Sequence, residues 1–372
     1  MIARLSRSVS RALYQRRRRG AFRRPFDAAA SKRVLLLAVD HPIPQSQLFP
    51  YHYYAKAFRQ RFDADIREVP VDADLDVALL QSATTICFQT YFNISSKALA
   101  ALIDQIRAAN PTARLVYLDW FAPTDLRLAA RVGPLVDAYV SKHLLLDRAQ
   151  YGRPTFGDTT LMDYYGHAYD LNHDIEKFII PKGFIDKLHL GPSFATADFM
   201  LPAFDRAAMP DGPRPVDLHA RIAVEGTPWY HAMRRACSDA VDALENVRTT
   251  TGFGVRHDLF LKELRASKIC FSPFGYGEVC WRDYEAVLCG AALLKQDMSH
   301  VETQPDIFRP FETYVPVKWD LSDFATQARW LLNEDAARRE IARNAYVVLQ
   351  DYARSGRFTQ QMAPALFGEA GL

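Results

Sequence analysis

Phe271-Ser-Pro-Phe-Gly-Tyr-Gly-Glu-Val-Cys-Trp-Arg-Asp-Tyr-Glu-Ala-Val-Leu-Cys-Gly-Ala-Ala-Leu-Leu294 is the stretch that decides the fold. Lys268 to Phe271 is a short apolar run of strand type. Pro273, Gly275 and Gly277 punctuate a turn. A helix is expected from about Glu278 to Cys289, stopped by Gly290, with Ala291 to Leu294 as the next buried strand. On that helix Glu278, Arg282, Glu285 and Cys289 share one stripe. The turn offers backbone N–H groups and a helix N-terminus, which suit a phosphate. Arg282 lies one turn in and can neutralise a diphosphate. Glu285 lies one turn further and can accept from two ribose hydroxyls. This is an arrangement for holding a nucleotide-activated sugar. The plainer alternative is a solvated salt bridge between Arg282 and either glutamate.

Strands and helices alternate on both sides of this segment. Lys32 to Val39 reads as a strand ending in Asp40-His41-Pro42, followed by a helix over Tyr51 to Phe62. Further strands are expected at Ile66–Val69, Thr84–Gln89, Leu115–Leu118 and Ala138–Val140, with a helix around Ser96–Ala109. A second series starts at Val216–Val224 and continues through Val247–Thr251, Lys268–Phe271, Ala291–Leu294 and Tyr314–Val317. This pattern predicts an α/β chain with two doubly wound parallel-sheet, Rossmann-like domains facing a cleft. The expected division is a basic arm over 1–30, an acceptor-side domain over 31–175 and a proline-marked connection over 176–215. A donor domain over 216–345 and a C-terminal tail over 346–372, crossing back to the first domain, complete it. No G-x-G-x-x-G follows the first strand and there is no Walker A motif.

The pattern S-P-x-G-x-G-x-x-x-x-R-D-x-E-A-x-x-x-G-A, from Ser272 to Ala291, resembles the donor-binding helix of bacterial glycosyltransferases of the two-domain GT-B type. The exostosin-like and spore-coat-type groups are the nearest. The resemblance implies that Glu285 binds the donor ribose and that Arg282 contacts the diphosphate. Many retaining members carry two glutamates separated by seven residues. Here Glu278 and Glu285 are separated by six, and Gly277 holds the matching position, so the stereochemical outcome stays open.

Ligands bind outside the carboxyl ends of strands in such sheets. The second domain therefore offers Gly275, Gly277, Arg282, Glu285 and Lys295 to the donor. Arg221, within the Val216-Asp-Leu-His-Ala-Arg-Ile strand, is a further phosphate contact or else a paired edge-strand arginine. On the first domain Asp40 and His41 end one strand and Asp119 another. These are candidates for a general base that activates an acceptor hydroxyl, unless Asp40 caps a turn and His41 is structural. Arg282, helix amides and Lys295 can stabilise the leaving phosphate, so neither metal nor cofactor is expected. The enzymatic rival is a metal-dependent GT-A transferase using Asp63-Ala-Asp65 or Asp72-Ala-Asp74; the non-enzymatic rival is a sugar- or nucleotide-binding scaffold.

The 372-residue chain has a net charge of only +3, unevenly placed. Residues 1–33 hold eleven Lys or Arg against one acid, Asp27. Ile2, Leu5, Val9 and Leu13 fall near one helical face, so residues 1–24 can lie on an anionic membrane surface. A transit peptide and a solvated tail are the alternatives. No apolar run is long enough to span a bilayer. The five cysteines have no metal-ligand spacing and no even count for a disulfide framework, which fits a reducing cytoplasm. The expected partners are a nucleotide sugar, a surface-glycan or lipid-linked acceptor and the inner face of the cytoplasmic membrane. Nucleic acid is excluded, because basic residues do not continue into the folded part with interleaved aromatics.

Overall fold

The computed structural model describes residues 24–71 and 77–368. The basic arm before Arg24 and the Asp72-Ala-Asp74 triplet lie outside the described residues.

The first half runs β1 (Lys32–Ala38), α1 (Pro42–Tyr53), α2 (Ala55–Phe62), β2 (Ala64–Pro70), β3 (Thr85–Phe88), α3 (Ser96–Ala109), β4 (Arg114–Asp119), β5 (Ala138–Ser141), β6 (His143–Leu145), α4 (Thr160–Ala168) and β7 (Leu188–Leu190). Six strands form one sheet in the order β2-β1-β3-β4-β5-β7, every pair parallel. Val34 to Ala38 are all fully buried, as expected of a strand covered on both faces. Helix α3 shows why such helices form here. Ser95 caps it by accepting from the Ala98 amide at 3.1 Å, and Leu99, Leu102, Ile103 and Ile106 recur on its buried stripe. The expected helix over Tyr51–Phe62 is broken at Tyr54, whose backbone leaves the helical region and ends one helix as the next begins.

The second half runs β8 (Val216–His219), α5 (Pro228–Asp242), β9 (Thr249–Thr250), α6 (His257–Arg265), β10 (Ser267–Phe271), α7 (Trp281–Leu288), β11 (Ala292–Gln296), β12 (Val301–Thr303), β13 (Val315–Val317), α8 (Phe324–Asn333), α9 (Asp335–Ser355) and α10 (Arg357–Phe367). Its five-stranded sheet has the order β9-β8-β10-β11-β13, again all parallel. Two doubly wound sheets of this kind are the GT-B architecture. Helix α10 packs on the first sheet: the Thr85 hydroxyl donates to the Leu366 carbonyl at 2.9 Å, and Phe358 meets Tyr51 edge-on at 4.9 Å.

Two strands do something that periodicity did not reveal. Strand β6, from the first half, pairs antiparallel with β12, from the second, with His143 opposite Thr303. This short ribbon joins the halves beside the cleft. The stretch expected as a connection also contains β7, the edge strand of the first sheet.

Candidate functional site

Strand order reverses between β1 and β3 in the first sheet and between β8 and β10 in the second. Ligands sit at the carboxyl edge of such switch points. In the second sheet that edge carries Arg221, the turn after β10 and the start of α7.

The turn is held by a buried network. Asp283 accepts from the Ser272 hydroxyl at 2.5 Å and from the Cys280 amide at 2.8 Å, and lies 3.2 Å from the Lys295 ammonium. Lys295 also donates to the Ser272 carbonyl at 3.1 Å. Because Asp283 reaches back to the Cys280 amide, helix α7 starts at Trp281 rather than Glu278. Glu278 therefore leaves the stripe expected for it, and no i,i+4 pair with Arg282 forms. Lys295 is wholly buried and committed inward, which corrects its expected place beside a leaving phosphate.

Three arginines converge at this edge, and they differ. Arg221 makes a two-pronged pair with Glu263 at 2.6 and 2.8 Å, and donates to the Thr251 carbonyl. Its charge is already satisfied, which is the paired alternative. Arg282 donates only to the Arg221 carbonyl, at 2.7 Å, and its Nε is buried without a partner. Arg234, on α5, donates to the carbonyls of Ala223, Pro273 and Phe274. Among the described residues neither Arg234 nor Arg282 has a carboxylate partner. Burial pushes the Arg234 guanidinium down from its ordinary value, and the neighbouring Arg282 charge adds to this. Two neighbouring cations without a carboxylate suit an anion chemically. The N-terminus of α5 lies at the same edge, and no side chain caps it. Tyr276 stacks on Tyr230 at 4.5 Å and is 44% exposed beside it.

Glu285 sits one turn along α7, buried, accepting from His257 Nε2 at 2.6 Å. Gly277 marks the meeting of the halves. A Cβ there would come within 1.9 Å of the Ala122 carbonyl oxygen, so only glycine fits.

The next residue, Glu278, is 1% exposed and faces both halves. It accepts from the Thr124 hydroxyl at 3.2 Å, and the His300 and His143 Nε2 atoms stand 3.6 and 3.7 Å away. Those spacings are too long for hydrogen bonds. Glu278 Oε2, His300 Nε2 and both His143 ring nitrogens are buried without partners. Burial alone would raise the Glu278 carboxyl, but the facing imidazoles outweigh it and hold it below its ordinary value. Burial pushes His143 down from its ordinary value, and the facing Glu278 carboxylate opposes that shift. His300 is the member with outward reach, its side chain 20% exposed. The β6–β12 ribbon brings the two histidines together. Sequence reading placed Glu278 only on the helix stripe, and it missed His143, His300 and Arg234. The available signal was the neighbourhood of Gly277; the long-range pairing of β6 with β12 has no local one.

On the first sheet, Asp40 and His41 are exposed at the carboxyl edge of β1. His41 caps α1, its Nδ1 accepting from the Ile43 amide at 3.3 Å. Asp119 is buried, and its oxygens accept from the Phe121 amide and the Tyr139 hydroxyl at 2.9 and 2.6 Å. Burial raises its pKa, and its bonds tie two strand ends rather than facing the cleft. Asp63 and Asp65 lie at the amino edge of the sheet, bonded to the Ser31 amide and to Arg24. That is the edge opposite to ligand sites. No cluster of metal-ligating side chains and no helix long and apolar enough to cross a membrane occurs among the described residues.

No protein-family model matches the chain, and no curated protein matches its sequence. Among solved structures it is similar to an α-glucosyltransferase (AGT) in complex with UDP, at 10% identity and TM-score 0.49, over 87% of this chain and 96% of that one. It is also similar to a glycosyltransferase from Rickettsia africae, at 7% identity and TM-score 0.47, over 89% and 98%. A third is Staphylococcus aureus MnaA with UDP, at 10% identity and TM-score 0.41, over 85% and 92%. At such identities no residue role transfers, and the GT-B architecture rests on the two sheets themselves. The α-glucosyltransferase is also described with UDP-glucose and DNA. That finding overturns the expected exclusion of nucleic acid: the lack of a basic stripe with interleaved aromatics does not rule out such a partner for a fold of this kind.

Proposed function

We propose that the chain is a glycosyltransferase that moves a sugar from a nucleotide diphosphate donor to an acceptor hydroxyl. The observation that carries this reading is the Arg234–Arg282 pair, two guanidinium groups without a carboxylate at the switch point of the second sheet. They would take the diphosphate together with the α5 amides, and would stabilise it as it leaves. Glu285, oriented by His257, would accept from the ribose hydroxyls. No metal is then required.

The acceptor hydroxyl needs a base. His300 beside Glu278 is the better candidate, because its ring stands at the junction of the two halves with its side chain 20% exposed, where it can reach an acceptor hydroxyl. Asp40 and His41 stay on the acceptor side as the alternative. The Ser272–Ala291 pattern favours the exostosin-like and spore-coat-type groups and a surface-glycan or lipid-linked acceptor, and the basic residues 1–24 favour the inner face of the cytoplasmic membrane.

Calorimetry with UDP tests the donor reading. Binding should persist in EDTA, and Glu285→Ala should weaken it by on the order of 1.5–3 kcal/mol, the loss of one charge-assisted hydrogen-bonding group. Binding that requires manganese, or that ignores Glu285, would sink the assignment.

A further inference from the structure

A cavity of about 540 Å³ opens between helix α4 and Trp319, lined by Thr160, Asp163, Tyr164, His167, Ala168 and Trp319. Its volume is within the roughly 300–1,000 Å³ usual for small-molecule sites. None of these residues serves the donor site.

Two aromatic rings wall it. Tyr164 and Trp319 meet edge to face at 4.9 Å, with Tyr164 37% exposed. Trp319 is held rigidly. Its indole N–H donates to the Asp297 carbonyl at 2.9 Å, and Tyr165 and Phe274 pack against it at 6.1 and 5.2 Å. The rim is polar. The Asp163 and His167 side chains are 42% and 68% exposed. Asp163 Oδ1 accepts from the Phe156 amide, and His167 is tethered through Nδ1 to the Asp163 carbonyl, which leaves Oδ2 and Nε2 for a ligand. The lining contains no lysine or arginine, and the Asp320 carboxylate acts on Tyr164 from beside it.

Fixed aromatic surface with a carboxylate, an imidazole and hydroxyls at its edge matches a pyranose. The C–H groups of one sugar face pack on a ring, while the ring hydroxyls find the polar groups. The acidic surroundings disfavour a phosphate-bearing ligand, and the polar rim disfavours an acyl chain. The position is also telling. Trp319 packs against the His300 ring at 4.9 Å, and His300 in turn faces Glu278.

We propose that this cavity binds a neutral pyranose unit of the acceptor, one ring away from His300. Its service to an acceptor rests on the glycosyltransferase reading; sugar binding itself does not.

The test uses the full chain without nucleotide and the methyl glycosides of glucose, galactose, mannose and N-acetylglucosamine as probes. Saturation-transfer NMR should show at least one glycoside bound. That signal should survive Tyr164→Phe and be lost in Tyr164→Ala, with UDP affinity unchanged in both. Ala168→Trp fills the cavity from an exposed position and should abolish the signal too, which covers the case of a Tyr164→Ala protein that fails to fold. Added UDP should not displace the glycoside. No bound glycoside, signals in Tyr164→Ala and Ala168→Trp as strong as in the unaltered protein, or displacement by UDP would each overturn the proposal. Sugar binding without UDP binding would instead overturn the donor reading alone.

Discussion

Asp283, in the first turn of α7, and Glu278, in the loop just before it, are both buried, at 0% and 1% exposure. Their surroundings are opposite. Asp283 has a hydroxyl, an amide and an ammonium within 3.2 Å. Glu278 has one hydroxyl and two imidazoles that stop short of bonding, and one of its oxygens has nothing. The arginines repeat the contrast, with Arg221 saturated by Glu263 and Arg282 left with a bare Nε. Buried polar groups are normally satisfied, and an unsatisfied one costs about 1–3 kcal/mol. In this molecule the satisfied charges build the turn, and on the proposed function the unsatisfied ones beside it take the ligand or reacting group.

Glu278→Gln breaks the comparison most sharply. It keeps the shape and removes the charge beside His300. UDP release from UDP-sugars should fall by about 10²–10⁴-fold, the usual contribution of a general base, while stability in urea barely changes. A fully active variant would return the base to Asp40 or His41.

Asp283→Ala should do the reverse. It strands the Lys295 ammonium in the core, and breaking a buried pair on one side costs about 3–5 kcal/mol. Urea unfolding should show that loss. The double variant Asp283→Ala with Lys295→Met should recover part of it, since the stranded charge is then gone. A stability loss no larger than that of Glu278→Gln would erase the distinction between the two carboxylates.

What was legible in the sequence follows the range of the interaction. The strands were readable because Val34–Ala38 and Ile269–Phe271 are continuous apolar runs, and Ser96–Ala109 because its apolar stripe and Ser95 cap are local. The start of α7 was misplaced because a side chain three residues ahead, Asp283, sets the cap. The junction was hidden for a different reason. His143, Glu278 and His300 are brought together by the pairing of β6 with β12, and no window of sequence contains both strands. Arg234 was passed over because, on a helix periodic enough to be ordinary, nothing local tells a bonded arginine from an unpaired one.

The arginines supply the smallest and most discriminating effect. Arg282 and Arg221 lie at the same edge and are joined, Arg282 donating to the Arg221 carbonyl. If charge alone mattered, removing either would weaken UDP alike. If satisfaction decides, Arg282→Ala should weaken UDP binding by about 1.5–3 kcal/mol, roughly ten- to a hundredfold, because a charge-assisted bond to phosphate is lost. Arg221→Ala should change it by under about 1 kcal/mol, since that guanidinium is already engaged by Glu263 and has little to offer a second anion. Arg234→Lys keeps the charge but loses the fork that holds three carbonyls, so its effect on UDP should fall between the two. Calorimetry on the three variants at one salt concentration reads all of this directly. Equal losses for Arg221→Ala and Arg282→Ala would show that the edge acts as a diffuse positive field, and the unsatisfied pair would lose its special standing as the diphosphate site.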